Sequence, residues 1–252
     1  MLYEERVNYI LKKLEHNSLV KTNDLVNEMG VSIDTIRRDL KKLEEEGKLT
    51  CIRGGACSSE EELQYSPFFG RQIINEDLKR EAAKKATSLI HSGNIIALNA
   101  GTTNSILAEE LVKLKKQITV VTNNLSALSI LTGSEYIQIV VPSGIVDKEE
   151  LALYGCNCVE EISSYSFDLS FLAINAVHPT YGFSDFRFQE MDIIKTMIKH
   201  SKRSVALMDS QKFGKISKKV FLSPREISLL ITNNQIDYSL KNQFTEAGLC
   251  IM

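Results

Sequence analysis

VSIDTIRRDLKKLEEEGKLTCIRGGA, residues 31–56, reads as a helix that presents arginines, followed by a short two-stranded turn. At about 100° per residue, Ile33, Ile36, Leu40 and Leu43 fall on one side of this helix, and Thr35, Arg37, Arg38, Lys41 and Lys42 fall largely on the other. Ser32 is a suitable N-cap, since its hydroxyl accepts from a backbone N–H that lacks an intrahelical partner. Gly47 ends the helix, and KLTCIR with the following GGA forms a wing around a glycine-permitted turn. Upstream, KTNDLVNEMG (21–30) is a short helix closed by Gly30 in the left-handed conformation. Residues 2–15 supply a first helix with the apolar stripe Val7, Ile10, Leu11 and Leu14. Together these elements predict a winged helix-turn-helix over residues 1–57.

Once the apolar faces pack together, the basic side of the helix that follows Ser32 is left for phosphates and base edges. An isolated arginine pair is ordinarily a solvated surface. This pair sits at the start of a recognition helix, where base contacts are made. Ser32, Thr35, Arg37, Arg38 and Lys41, with Arg53 on the wing, are the residues expected at double-stranded DNA. Residues 1–57 carry ten basic and ten acidic side chains, so affinity has to come from local placement and dimeric binding rather than from a cationic block. Glu44, Glu45 and Glu46 lie at the far end of the helix.

Composition narrows the remainder. The chain has 252 residues, 43% of them hydrophobic, and a net charge of −2, which suits two soluble domains and argues against general polyanion binding. No apolar run is long enough for a membrane span, and MLYEERVNYI lacks the layout of a secretion signal, so a cytoplasmic location is expected. Five cysteines, including the pair Cys156 and Cys158, fit reduced thiols. His16, His91, His178 and His200 are scattered without metal-ligand spacing, and no dinucleotide or P-loop motif occurs. No cofactor and no metal are expected.

The polar, acidic stretch 58–75 suits a linker. Residues 76–252 then alternate. A helix over 76–91 precedes strands at 94–100, 118–123, 167–175, 204–209 and 228–233, with IQIVVPSG as a further strand and turn. Helices are expected between them, at 188–199 and at 237–247, and LCIM as a last short strand. Apolar strands alternating with helices predict an α/β domain with a mostly parallel sheet covered on both faces. Ligands of such sheets bind beyond the carboxyl ends of strands. Three polar strand ends qualify: Asn99-Ala100-Gly101-Thr102-Thr103, Thr122-Asn123-Asn124, and the run from Asp209 to Gly214 containing Lys212. Taken singly, each is better explained by a cap, a turn or a solvated loop. Together they suit a phosphorylated sugar or polyol, with N–H groups and hydroxyls for phosphate, a lysine charge and an aspartate for a sugar hydroxyl.

These residues resemble the DeoR-type family of bacterial transcription regulators. Arg6, Ile10 and Leu14 match its first-helix spacing. Ser32, Thr35, Ile36, Arg37, Arg38, Asp39, Leu40, Leu43 and Gly47 follow its recognition helix, and Gly54-Gly55-Ala56 its wing. GTT, TNN, Phe167-Asp168, Glu190 with Lys195, and DSQKFG are similar to its sensor domain. The resemblance implies a ribose-5-phosphate-isomerase-like sensor that binds a phosphorylated sugar without isomerising it. Gly101, Thr102 and Thr103 would hold phosphate, Asn123, Asp209 and Lys212 would line the pocket, and Glu190 and Lys195 would lie beside it. Asn99 stands where the family usually has aspartate, Arg53 where it has histidine and Cys51 where a basic residue is common. Ser143 falls where a double glycine is usual, and Tyr154-Gly155-Cys156 replaces a glycine–proline pair.

The function implied is a homo-oligomeric, ligand-responsive repressor of a sugar or polyol operon, and not an enzyme. Two rivals differ in class: an isomerase with a DNA-binding appendage, for which Glu190 is the one serious candidate base, and a constitutive DNA-binding protein with a ligand-blind sensor. Turnover assays separate the first, and ligand-induced thermal shifts the second.

Overall fold

Gly30 takes φ 63°, and its N–H donates to the Val26 carbonyl at 2.9 Å, which ends one helix and lets the chain turn into the next. Around this turn a computed structural model, which describes residues 1–17, 19–52, 54–58 and 65–252, folds Met1–Ile74 as one unit and Asn75–Met252 as another. Helices α1 (Tyr3–Asn17), α2 (Thr22–Met29) and α3 (Ile33–Glu45) bury Ile10, Leu14, Leu25, Met29, Ile36, Leu40 and Leu43 against one another. Ser32 caps α3, its hydroxyl accepting from the Thr35 N–H at 3.2 Å. Gly47, at φ 70°, lets Gly47 and Lys48 donate back to Glu44 and Leu43 and so closes the helix.

The wing strands are β2 (Thr50–Ile52) and β3 (Gly55–Cys57), paired antiparallel. They are joined by β1 (Leu19–Lys21) in the order β1–β3–β2. Ile33 departs from its expected place on the buried stripe. It occupies the first position of α3 and is 37% exposed. Within the stretch expected to be a linker, α4 (Phe68–Ile73) forms and buries Phe68 in the first unit.

In the second unit a six-stranded, wholly parallel sheet has the order β14–β12–β9–β4–β5–β6. These strands are β4 (Ile95–Leu98), β5 (Ile118–Thr122), β6 (Ile137–Val140), β9 (Phe167–Leu172), β12 (Ser201–Leu207) and β14 (Leu229–Ile231). Successive side chains leave a strand on opposite faces. Accordingly Ile96, Leu98, Val120, Phe171, Val205 and Leu207 enter one core, and Ala97, Val121, Leu172, Ala206 and Leu230 enter the other. The first core is covered by α5 (Glu76–Ala86), α6 (Thr102–Lys113) and α7 (Leu125–Leu131). The second is covered by α8 (Cys156–Ser163), α9 (Phe188–Lys199) and α10 (Tyr238–Glu246).

Two small sheets were not expected: the hairpin β7 (Ile145–Asp147) with β8 (Ala152–Tyr154), and β10 (Ala176–His178), β11 (Gly182–Asp185) and β13 (Lys219–Leu222). At the expected final strand, LCIM, the chain lies parallel to β14 through three backbone bonds, from Leu230 N–H to the Cys250 carbonyl at 2.8 Å, from Met252 N–H to that of Leu230 at 2.9 Å and from Thr232 N–H to that of Met252 at 3.1 Å. The strand expected over 167–175 stops at Leu172. Among the described residues no helix is long and apolar enough to cross a membrane, and no cluster of His, Cys, Asp and Glu could hold a metal ion.

Candidate functional site

Two surfaces collect the residues singled out in the sequence. On the first unit, Arg37, Arg38 and Lys41 are exposed along α3 and Thr35 is half-buried. Arg37 is only loosely paired with Asp34, at 3.9 Å. Arg38 and Lys41 make no ion pair among the described residues. Lys42 is engaged otherwise, its ammonium lying 4.3 Å from the centroid of the Tyr3 ring. Arg53 lies outside the described residues.

What orients α3 is a fork that its basic face does not reveal. Arg6 of α1 donates through Nε to Asp39 Oδ2 at 2.6 Å and through Nη2 to Oδ1 at 3.1 Å, with both side chains largely buried. The two helices are thereby fixed in angle as well as in contact. Arg6 and Asp39 belong to the resemblance pattern, yet nothing in their spacing announces that they meet.

On the second unit, the chain passes from the central neighbours β4 and β9 to opposite sides of the sheet, to β5 and β12, and polar residues gather beyond their carboxyl ends. Asn99, at the end of β4, links the two exits. Its Oδ1 accepts from the Ala173 N–H at 2.7 Å, and its Nδ2 donates to the Ala173 carbonyl at 3.1 Å and to Glu190 Oε2 at 3.2 Å. Asn123, at the end of β5, donates to Glu190 Oε1 at 2.6 Å. Asn124 caps α7 and donates to the Gly101 carbonyl at 3.1 Å. Gly101 then opens α6 at φ 145°, and the first-turn N–H groups lie ahead of the first intrahelical bond, from Ser105 to Gly101. Thr102 and Thr103 occupy the first two helical positions. Both are buried, and the Thr103 hydroxyl has no hydrogen-bond partner.

Arg187 is the residue the sequence did not announce. It is buried, bidentate to Asp185 at 3.0 and 2.7 Å, and donates to the carbonyls of Ala100 at 2.7 Å and Ala173 at 2.8 Å. It thus ties the loop before α6 to the exit of β9. On the other side of that exit, Lys212 Nζ lies 3.4 Å from the Ile174 carbonyl and 3.8 Å from Asp209 Oδ2. Since Ala173 and Ile174 are consecutive, the Asn99–Arg187 and Asp209–Lys212 groups meet on adjacent residues of one strand exit.

Lys195 does not join them. Five residues beyond Glu190 it is turned about 140° around the helix. It is exposed and lines an open groove with Tyr154, Gly155, Cys156, Val159 and Asp192.

Burial pushes the Glu190 carboxyl up to about 7, against the pull of Arg187 and of the amides of Asn123 and Asn99. A carboxyl whose folded-state value is raised keeps a proton that the unfolded chain releases. Its contribution to stability therefore falls as pH rises from 4.5 to about 7. The loss totals up to about 3 kcal/mol, since each tenfold gain in proton affinity is worth roughly 1.4 kcal/mol. Urea titrations at pH 5 and pH 8 should show a drop in the wild type that shrinks in Glu190→Gln. An equal drop in both would remove Glu190 as its source.

A family model of the DeoR-like helix-turn-helix domain matches residues 6–62, and one of the DeoR C terminal sensor domain matches residues 74–234. The HTH-type transcriptional regulator GolR of Listeria innocua is 33% identical over 97% of this chain and 96% of its own length. The lactose phosphotransferase system repressor of Staphylococcus epidermidis is 31% identical over 91% of this chain and 92% of its own. Ribose 5-phosphate isomerase A from Methanocaldococcus jannaschii superposes with a TM-score of 0.43 at 21% identity, over 57% of this chain and 58% of that one. An exposed basic helix beside a wing, a parallel-sheet sensor and relatives matched over most of their length all lead to one assignment: the chain belongs to the DeoR family of DNA-binding transcriptional regulators.

Proposed function

We propose that this regulator represses a sugar or polyol catabolic operon and releases its operator when a phosphorylated sugar binds beyond the ends of β4 and β9. The observation that carries the ligand class is the opening of α6. There a glycine, first-turn N–H groups and a buried hydroxyl without a partner converge, as an anion-binding helix terminus requires. Lys212 supplies a positive charge on the neighbouring strand exit. Asn99, Asn123, Glu190 and Asp209 supply the acceptors and donors that a polyol chain needs. The name of the lactose phosphotransferase system repressor supports a sugar-linked operon.

Ser32, Thr35, Arg37, Arg38, Lys41 and Arg53 are assigned to DNA. A single winged unit reads few base pairs, so a homo-oligomer placing two recognition helices on two half-sites fits the task. The response is a population shift, in which ligand stabilises the arrangement that fits the operator less well.

Calorimetry with matched pairs of phosphorylated and plain sugars tests the ligand class directly. Phosphorylated members should bind and their plain counterparts should bind far more weakly, whereas equal affinities would remove the phosphate site. Thr103→Val gives a sharper signature because its two effects have opposite signs. Valine removes a buried unsatisfied hydroxyl, which stabilises the fold by about 1 kcal/mol, or roughly 2–4 °C in a domain of this size. The same change deletes a phosphate donor and should weaken the sugar phosphate about tenfold. A variant that is both less stable and normal in affinity would contradict both assignments.

A further inference from the structure

The second unit begins at Asn75, and three observations set that residue apart. It holds φ 52° and ψ 33°, a left-handed backbone that only Asn75, Lys115 and Leu151 share among the described non-glycine residues. It stands at the N-cap of α5, where an asparagine side chain usually accepts from the helix's own N–H groups, yet it makes no such cap. Instead its Nδ2 donates across 134 positions of sequence to Asp209 Oδ1, at 3.2 Å. The other oxygen of that carboxylate faces Lys212.

The Asp209–Lys212 turn is tied to α5 by a second route. Ser210 donates its N–H to Asn233 Oδ1 at 2.8 Å, and Asn233 Nδ2 donates to the Ser210 hydroxyl at 3.1 Å. Lys85 of α5 donates to the carbonyl of Thr232 at 2.7 Å and to Asn234 Oδ1 at 2.8 Å, and Glu81 accepts from the Asn234 N–H at 2.8 Å. The turn, the exit of β14 and α5 are therefore one hydrogen-bonded block. It starts at the residue where the chain passes out of Met1–Ile74.

We propose that Asn75 is the coupling residue of the regulator, its bond to Asp209 carrying the state of the anion site to the junction with the DNA-binding unit. This rests on the assignment of Asp209 and Lys212 to a sugar-phosphate site. An anion that draws the Lys212 ammonium toward itself leaves the Asp209 carboxylate with less positive charge and a new negative neighbour. The carboxylate then shifts, and Asn75 loses the bond that offsets its left-handed backbone. Relaxation of that one residue to the extended region redirects the chain at positions 74 and 75, as hinge residues at element ends do. The two backbone states of Asn75 are the switch that both sites bias.

The test uses the full-length protein and a duplex selected from random sequence by the wild type. DNA affinity is measured with and without the tightest binder among glucose 6-phosphate, fructose 1-phosphate, ribose 5-phosphate and glycerol 3-phosphate. Affinity for that sugar phosphate is measured separately by calorimetry. Asn75→Gly keeps the left-handed backbone at no steric cost and deletes the bond, while Asn75→Ala deletes the bond and disfavours the backbone. The wild type should respond by about tenfold or more, within the usual range of coupling factors, and both variants by less than about threefold. Both should still bind the sugar phosphate in the calorimeter. A wild-type response in Asn75→Gly overturns the coupling role, and that variant decides the matter if the alanine variant does not fold. Failure of every sugar phosphate to bind the wild type overturns the anion site itself, and is seen in a different arm of the experiment.

Discussion

Arg38→Ala is expected to abolish sequence-specific DNA binding and leave the protein folded. The side chain is exposed on the outer face of α3 with no ion pair among the described residues, so its removal exposes no buried partner. A lost bidentate base contact costs about 1–3 kcal/mol per half-site, and a twofold complex loses it twice. Specific affinity should therefore fall far enough to approach nonspecific binding, with an unchanged melting temperature. Lys41→Ala provides the contrast. As a phosphate contact it should weaken all sequences similarly and reduce the salt slope by about one. Gel-shift titrations of both variants at two salt concentrations decide the matter. Retained specificity in Arg38→Ala would move the reading face elsewhere on α3.

Gly101→Ala should have the second large effect, this time on the sensor. At φ 145° and ψ 151° the backbone lies in a region open essentially to glycine alone. A Cβ built there would stand 2.8 Å from Ala173 Cβ and 3.2 Å from Arg187 Nη1. Strain and overlap together cost about 2–5 kcal/mol. The loop cannot yield freely, because Arg187 holds the Ala100 carbonyl before the glycine and Asn99 holds the carbonyl of Ala173, the residue against whose side chain the new Cβ would press. The variant should melt several degrees lower and lose its response to sugar phosphate, while the first unit still binds DNA. Normal stability would show that the loop relaxes and that the close approach of these backbones is dispensable.

The helix-turn-helix is legible because its rules are local. Gly30, Ser32 and Gly47 each act on N–H and carbonyl groups a few residues away, and each sits where that chemistry requires. The three-residue β1 is not legible, being too short to show alternation and defined only by its partner β3. In the sensor, strand ends are readable from polar residues after apolar runs, which is how Asn99, Asn123 and Asp209 come to notice. Arg187 is not readable, because SDFRFQE does not distinguish a buried arginine from a surface one. Its burial depends on Asp185 and on carbonyls 14 and 87 positions away. Lys195 misleads for the opposite reason. It is near Glu190 in sequence and on another face of the helix in space.

The central pairing of the sensor sheet joins Ile96 to Leu169 and Leu98 to Phe171, strands between which β5 to β8 intervene in the chain. During synthesis β4, β5 and β6 emerge in order and can pair with one another, but the open edge of β4 must wait until β9 has been made. Such long-range parallel pairing forms slowly and leaves an apolar edge open to other chains in the meantime. The first unit needs no such wait, since its three helices and wing close within one short segment. A nascent chain should thus carry a finished reading head before it has any means of sensing. Ribosome-stalled chains ending before β9 should therefore resist protease over residues 1–57 while being cleaved throughout 94–140.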